Sequence, residues 1–161
     1  MESVLAQLEH SGLATWIRES GVLYGYPLIL FLHTLGLSTL VGLSAAIDLR
    51  LLGIGRAIPL KSLEKTFVLM WAGLALNAAT GSLLFIADAQ KHASNPAFYV
   101  KLLFVALAIV ALVLIRNRVF RDPGAGREPR TGQWLAAGSL ACWFIAMSSA
   151  RLMAYIIEFI L

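Results

Sequence analysis

His33 is the residue of this chain best suited to chemistry. It lies well inside Phe31 to Arg50, FLHTLGLSTLVGLSAAIDLR, an otherwise long apolar run. An imidazole can ligate a metal, relay a proton or bond across helices. In an apolar span it is costly unless it faces the protein interior and has a partner. Two cationic side chains have a similar setting. Lys101 lies about one turn inside a later apolar run, and Arg151 lies inside the last one. Asn77 brings an amide to the middle of another run, and Met147 and Met153 flank Arg151 with thioethers. Asp48 and Arg50 close the first run, where the chain is expected to leave the apolar zone.

Composition says what must position these residues. The chain has 161 residues, 59% hydrophobic and 14% charged. Soluble domains are about 45–50% apolar and about 25% charged. The composition is that of a membrane protein. A spanning helix needs about 20 apolar residues, so about four spans with short loops use most of the chain. No room remains for a separate soluble domain. The formal charge of +4 is carried mostly between apolar runs, which fits membrane orientation and not nucleic-acid binding. A single cysteine, Cys142, excludes an intrachain disulfide and a paired-cysteine metal site.

The expected fold is all-α: an integral membrane four-helix bundle, a single domain over residues 1–161. Residues 1–20 form an N-terminal interfacial amphipathic helix, with Val4, Leu5, Leu8, Leu13 and Trp16 on its apolar side. Acidic residues, and the lack of a basic start before an apolar core, argue against a cleaved signal peptide. Spans are expected at about residues 23–49, 64–87, 97–115 and 134–160. In the first, Thr34, Ser38, Gly42 and Ala45 form a stripe of small residues that suits close helix packing. In the second, Gly73, Asn77 and Gly81 recur at four-residue steps and form another such face. Pro96 suits the first turn of the third span. Trp134 and Tyr155 suit the interfacial belts.

Orientation follows from the loops. Arg50, Arg56, Lys61 and Lys65 lie in one, and Arg116, Arg118, Arg121, Arg127 and Arg130 in another. The segment between the second and third spans is poorer in Arg and Lys, as are the ends. Both termini are therefore expected outside, with the basic loops in the cytoplasm of a bacterial inner membrane.

That topology places His33, Lys101 and Arg151 in the outer half of the spans. No acidic residue deep in a span neutralises them; Asp48 is read at the opposite end, and Asp88 and Glu158 near the outer rim. A basic pocket in low dielectric calls for an anion. Haem b suits it: His33 would ligate the iron, Lys101 and Arg151 would pair with the propionates, and Met147 or Met153 would be axial candidates. A quinone or a lipid headgroup also suits it. Asn77 reads either as interhelical hydrogen-bond glue or as a ligand contact. Lys101 reads equally as a side chain snorkelling to the headgroups. His92 and His10 lie outside the spans, so no second histidine stands at the depth of His33. No Ser-His-Asp set or nucleotide-binding loop is present, and no catalytic residue is assigned.

Several motifs resemble known membrane proteins. His33, Gly36 and Gly42 in the first span, Trp71, Gly73, Thr80 and Gly81 in the second, and Lys101 to Leu103 opening the third resemble the membrane core shared by copper-resistance D proteins and HemJ-type protoporphyrinogen oxidases. Tyr26-Pro27 before His33, the DLRLLG beginning at Asp48, and the ARLMAY around Arg151 are similar to a family of small four-helix bacterial membrane proteins. The resemblance implies a haem- or porphyrin-handling bundle with His33 as haem ligand and Lys101 as a second functional residue. Arg151, and the lack of a complete HemJ-type residue set, depart from it, so neither porphyrinogen oxidation nor copper transfer is carried over. The leading expectation is a haem b redox protein passing electrons to or from a quinone or an outer partner protein. The alternative is a non-enzymatic membrane subunit or small transport protein with a polar packing network inside the membrane. Oligomeric state is not legible in the sequence.

Overall fold

The computed structural model describes residues 2–21, 24–121 and 129–160, with side chains over 4–21, 24–121 and 130–153. Tyr155 and Glu158 lie outside the described side chains, and Arg127 lies outside the described residues. The described secondary structure is helical throughout. In order the helices are α1 (Glu2–Glu9), α2 (Gly12–Glu19), α3 (Tyr26–Leu51), α4 (Leu60–Leu63), α5 (Thr66–Ala87), α6 (Ala89–Ala93), α7 (Pro96–Ile115) and α8 (Pro129–Ile160). A π-helical turn, Arg116–Arg121, continues α7.

Four segments are long and apolar enough to cross a membrane: Tyr26–Leu51, Leu60–Ala87, Pro96–Arg121 and Arg130–Met153. Many of their large side chains point outward, including Phe31, Val68, Leu103, Val110 and Phe144. A water-facing surface would not carry such a density of exposed apolar groups, whereas lipid accepts it.

Helix boundaries follow local chemistry. Pro27 falls in the first turn of α3, where its missing N–H has no partner to lose. Pro96 and Pro129 open α7 and α8 in the same way. The last helix therefore starts before Trp134, and the basic connection expected from Arg116 to Gln133 is shorter than its composition suggests. After α3, Gly53 and Gly55 adopt positive φ values of 97° and 70°. Arg50 then pins the turn, donating from Nε to the Ile58 carbonyl (2.7 Å) and from Nη2 to the Arg56 carbonyl (3.2 Å).

The chain divides into two compact units. One comprises Met1–Leu40 and Trp71–Pro96, the other Val41–Met70 and Ala97–Leu161. In the first unit, the N-terminal segment is two helices, not the one expected. Ser11 breaks the run and caps α2, its Oγ accepting from Ala14 N–H at 3.3 Å. Ala14 and Ile17 are buried, and Ile17 joins Ile29, Leu84 and Ala87 in a small core flanked by Tyr26 and Leu83. Arg18 reaches the C-terminal end of α5, donating from Nη1 to the Ala87 carbonyl at 2.7 Å. A cation there satisfies a carbonyl that no further helical turn can serve. The Glu9 carboxylate lies 3.8 Å from Arg18 and accepts from Gln90 N–H at 3.3 Å, near the start of α6. Val4, Leu13 and Trp16 remain exposed, which suits an apolar face at an interface.

In the second unit, Ala108, Leu112 and Ile115 form the buried stripe of α7, and Ala136, Ser139, Trp143 and Ala146 that of α8. Both stripes recur at helical spacing. Phe67 is buried, meets Phe120 edge-on at 5.2 Å between centroids, and carries Arg116 5.6 Å above its ring.

Candidate functional site

The first unit brings His33 and Asn77 together. Their helices cross where Gly36 faces Gly73. A β-carbon placed on Gly36 would lie 2.8 Å from the Gly73 carbonyl oxygen, and one on Gly73 would lie 2.9 Å from the Gly36 carbonyl oxygen. The backbones of α3 and α5 therefore touch, and short side chains reach across the crossing.

The bonds between His33 and Asn77 are reciprocal. Asn77 Nδ2 donates to the His33 main-chain carbonyl at 2.9 Å. His33 Nδ1 lies 3.1 Å from the Asn77 main-chain carbonyl and 3.1 Å from Thr80 Oγ1. The Thr80 hydroxyl donates to the Leu76 carbonyl at 2.6 Å, so it presents a lone pair to the ring. A carbonyl can only accept. Both oxygens facing Nδ1 thus offer lone pairs, which assigns the ring hydrogen to Nδ1. In the neutral ring Nε2 then carries the lone pair; Asn77 Nδ2 lies beside the ring, 3.4 Å from Nε2 and 3.3 Å from Nδ1. Gly81 makes room for the ring; a β-carbon there would lie 3.0 Å from His33 Cε1.

The small-residue stripe expected to pack is turned outward. Thr34, Ser38 and Gly42 are exposed, and nothing lies within 4 Å of a β-carbon built on Gly42. The packing face of α3 runs instead through Gly36, Leu40, Ser44 and Ile47. Of the two faces expected, that of Gly73, Asn77 and Gly81 is the one that meets a neighbouring helix.

The other candidate residues lie in the second unit. Lys101 is half-buried on α7. Met147 and Arg151 are exposed on one side of α8, where they line a shallow groove with Phe144, Ser148 and Leu152. Met153 is half-buried on the same helix. Met147 and Arg151 thus face away from the buried stripe of Ser139, Trp143 and Ala146. His92 lies in α6 with Nδ1 donating to the Asp88 carbonyl at 2.8 Å, and His10 is exposed between α1 and α2. Among the described residues, no three His, Cys, Asp or Glu side chains gather in a group fit to hold a metal ion.

The second unit also holds a polar cluster that the sequence reading missed. Asp48 is not at a solvated rim. Its exposure is 0%, as are those of Ser44 and Ser139, and Trp143 is 2% exposed. Trp143 Nε1 donates to Ser44 Oγ at 3.1 Å, and Ser44 Oγ donates to Asp48 Oδ2 at 3.4 Å. Ser139 stands close enough to the carboxyl to interact with it but short of hydrogen-bond geometry. The legible signal was the spacing: Leu40, Ser44, Ile47 and Asp48 share one helical face. Comparison with family models, with characterised proteins and with solved structures finds no match to this chain.

Proposed function

We propose that the chain is a non-enzymatic multi-pass membrane subunit or small transport protein, in which intramembrane polar groups hold helices to one another. The observation that supports this reading is the closure of the His33 cluster. Both ring nitrogens and the Asn77 amide have partners within the α3–α5 hairpin. Such bonds between membrane helices contribute about 0.6 kcal/mol each, rarely above about 1.7. His33→Ala is therefore expected to lower unfolding stability by about 1–2 kcal/mol. In this reading the purified wild-type protein is colourless. Denaturation in detergent followed by circular dichroism, alongside an absorption spectrum, tests both points. A Soret band in the wild type, lost in His33→Ala while the fold persists, would sink it. The helices assemble as a bundle in a bacterial inner membrane, with the Arg50 and Arg116 loops cytoplasmic by the positive-inside rule.

A second reading, a haem b redox protein serving a quinone or an outer partner, draws on one feature of the same cluster. Nδ1–H held by a main-chain carbonyl is the arrangement that orients a ligating histidine and leaves Nε2 as the basic nitrogen. His33 would hold the haem iron, and the haem would supply one-electron redox chemistry. Ligation would displace the 3.4 Å contact from Asn77, so Asn77→Ala would leave haem binding intact while weakening the fold. The same spectrum decides between the two readings.

A further inference from the structure

The Asp48 cluster has a direction. An indole N–H donates and cannot accept. Trp143 therefore makes Ser44 Oγ an acceptor and leaves the Ser44 hydrogen for Asp48 Oδ2. On the other side of the carboxyl, Asp48 Oδ1 and Ser139 Oγ are both buried and both without a hydrogen-bond partner among the described residues. One hydrogen between them, Ser139's own or the carboxyl's, would satisfy both atoms, and the cost of a charge at this position decides which.

A charged carboxylate has little to stabilise it at this position. Asp48 lies in the last turn of α3, the negative end of the helix dipole. Its burial removes water, which is costly for an uncompensated ion. Arg50, two residues on, spends its guanidinium on the Ile58 and Arg56 carbonyls. Asp48 has no ion pair among the described residues. The groups facing the carboxyl are neutral: Ser44 on its own helix, and Ser139 and Trp143 from α8.

We infer that Asp48 is an exchangeable proton-binding site, a carboxylic acid whose Oδ1 hydrogen points to Ser139 and whose Oδ2 accepts from Ser44. The Trp143–Ser44–Asp48–Ser139 chain then runs donor to acceptor throughout. Loading is simple protonation of the carboxylate, with the proton taken from and returned to water. Because Ser139 and Trp143 belong to α8 and Asp48 to α3, loss of the proton places a bare charge between the two helices. Protonation is thereby coupled to how they pack. Ionisable groups inside membrane spans commonly serve proton relays, and this one stands apart from the His33 cluster and is independent of how that cluster is read.

Infrared spectroscopy of the full chain in lipid vesicles, with the aspartate carboxyls labelled with 13C, tests the site. At neutral pH the wild type is expected to show the carbonyl stretch of a protonated carboxylic acid. The band should move on labelling and again on exchange into D2O. Asp48→Asn should remove it and remain folded, because an amide can accept from Ser44 and donate to Ser139 as the acid does. Ser139→Ala should keep the band but shift its frequency, which holds the test open even if Asp48→Asn does not fold. Absence of the band in the wild type overturns the inference, as does its survival in a folded Asp48→Asn or its indifference to Ser139→Ala. Replacing choline chloride by sodium chloride must also leave the band in place. Its conversion to a carboxylate signal would make this a sodium site and overturn the proton assignment.

Discussion

Gly36→Ala is expected to loosen the α3–α5 hairpin by about 2 kcal/mol, and Gly36→Leu to prevent its formation. The added methyl would lie 2.8 Å from the Gly73 carbonyl oxygen, 3.0 Å from Asn77 N and 3.4 Å from Asn77 Cα. All three are backbone atoms, so no side chain can turn aside to make room. Over-packing of this kind costs about 1–3 kcal/mol. Separation of the helices also stretches the His33–Asn77 bonds one turn away, worth about 1–2 kcal/mol together. Against this, alanine is favoured over glycine in a helix by about 1 kcal/mol. The two losses outweigh the gain. Gly42→Ala is the control: the same helix, the same propensity gain and no atom within 4 Å of the new methyl. It should be neutral or slightly stabilising. Unfolding in a graded detergent series, followed by circular dichroism, would refute the crossing if Gly36→Ala and Gly42→Ala behaved alike.

Trp143→Ala is expected to cost about 2–4 kcal/mol, and Trp143→Phe about 1 kcal/mol. The indole is 2% exposed and is among the largest fully buried side chains of the chain. In water-soluble cores such a truncation costs about 3–5 kcal/mol, part of it from lost hydrophobic transfer. Lipid is as apolar as the protein interior, so that part shrinks in a membrane and the cavity remains. The alanine variant also removes the N–H that Ser44 Oγ accepts, leaving Ser44 with only its bond to the Asp48 carboxyl. Phenylalanine keeps most of the volume and loses the indole N–H alone, so the difference between the two variants separates cavity from hydrogen bond. Phe144, the next residue, is 69% exposed, and Phe144→Ala should have little effect. Equal losses at Trp143 and Phe144 would show that the burial of Trp143 against Ser44 does not stabilise the fold.

The sequence by itself determined where the long helices lie. Apolar length and proline position are local properties; the helices begin at Tyr26, Thr66, Pro96 and Pro129, the last of them ahead of the start expected at Trp134. It also singled out His33, Asn77 and Gly73, since polar and small residues stand out against an apolar background. What it left open was which way each helix faces. In a soluble helix, the polar face marks the outside. In a membrane helix, the lipid-facing and protein-facing sides are equally apolar, so periodicity does not mark the interior. The outward turn of Thr34, Ser38 and Gly42, and the choice of Gly36 as the crossing, depend on α5 presenting Gly73 opposite. The exposure of Met147 and Arg151 is likewise set by which face of α8 carries Trp143 inward. Asp48 shows the same limit. Its place along α3 was legible, but its burial was decided only by α8, whose Ser139 and Trp143 take the position that water would otherwise hold.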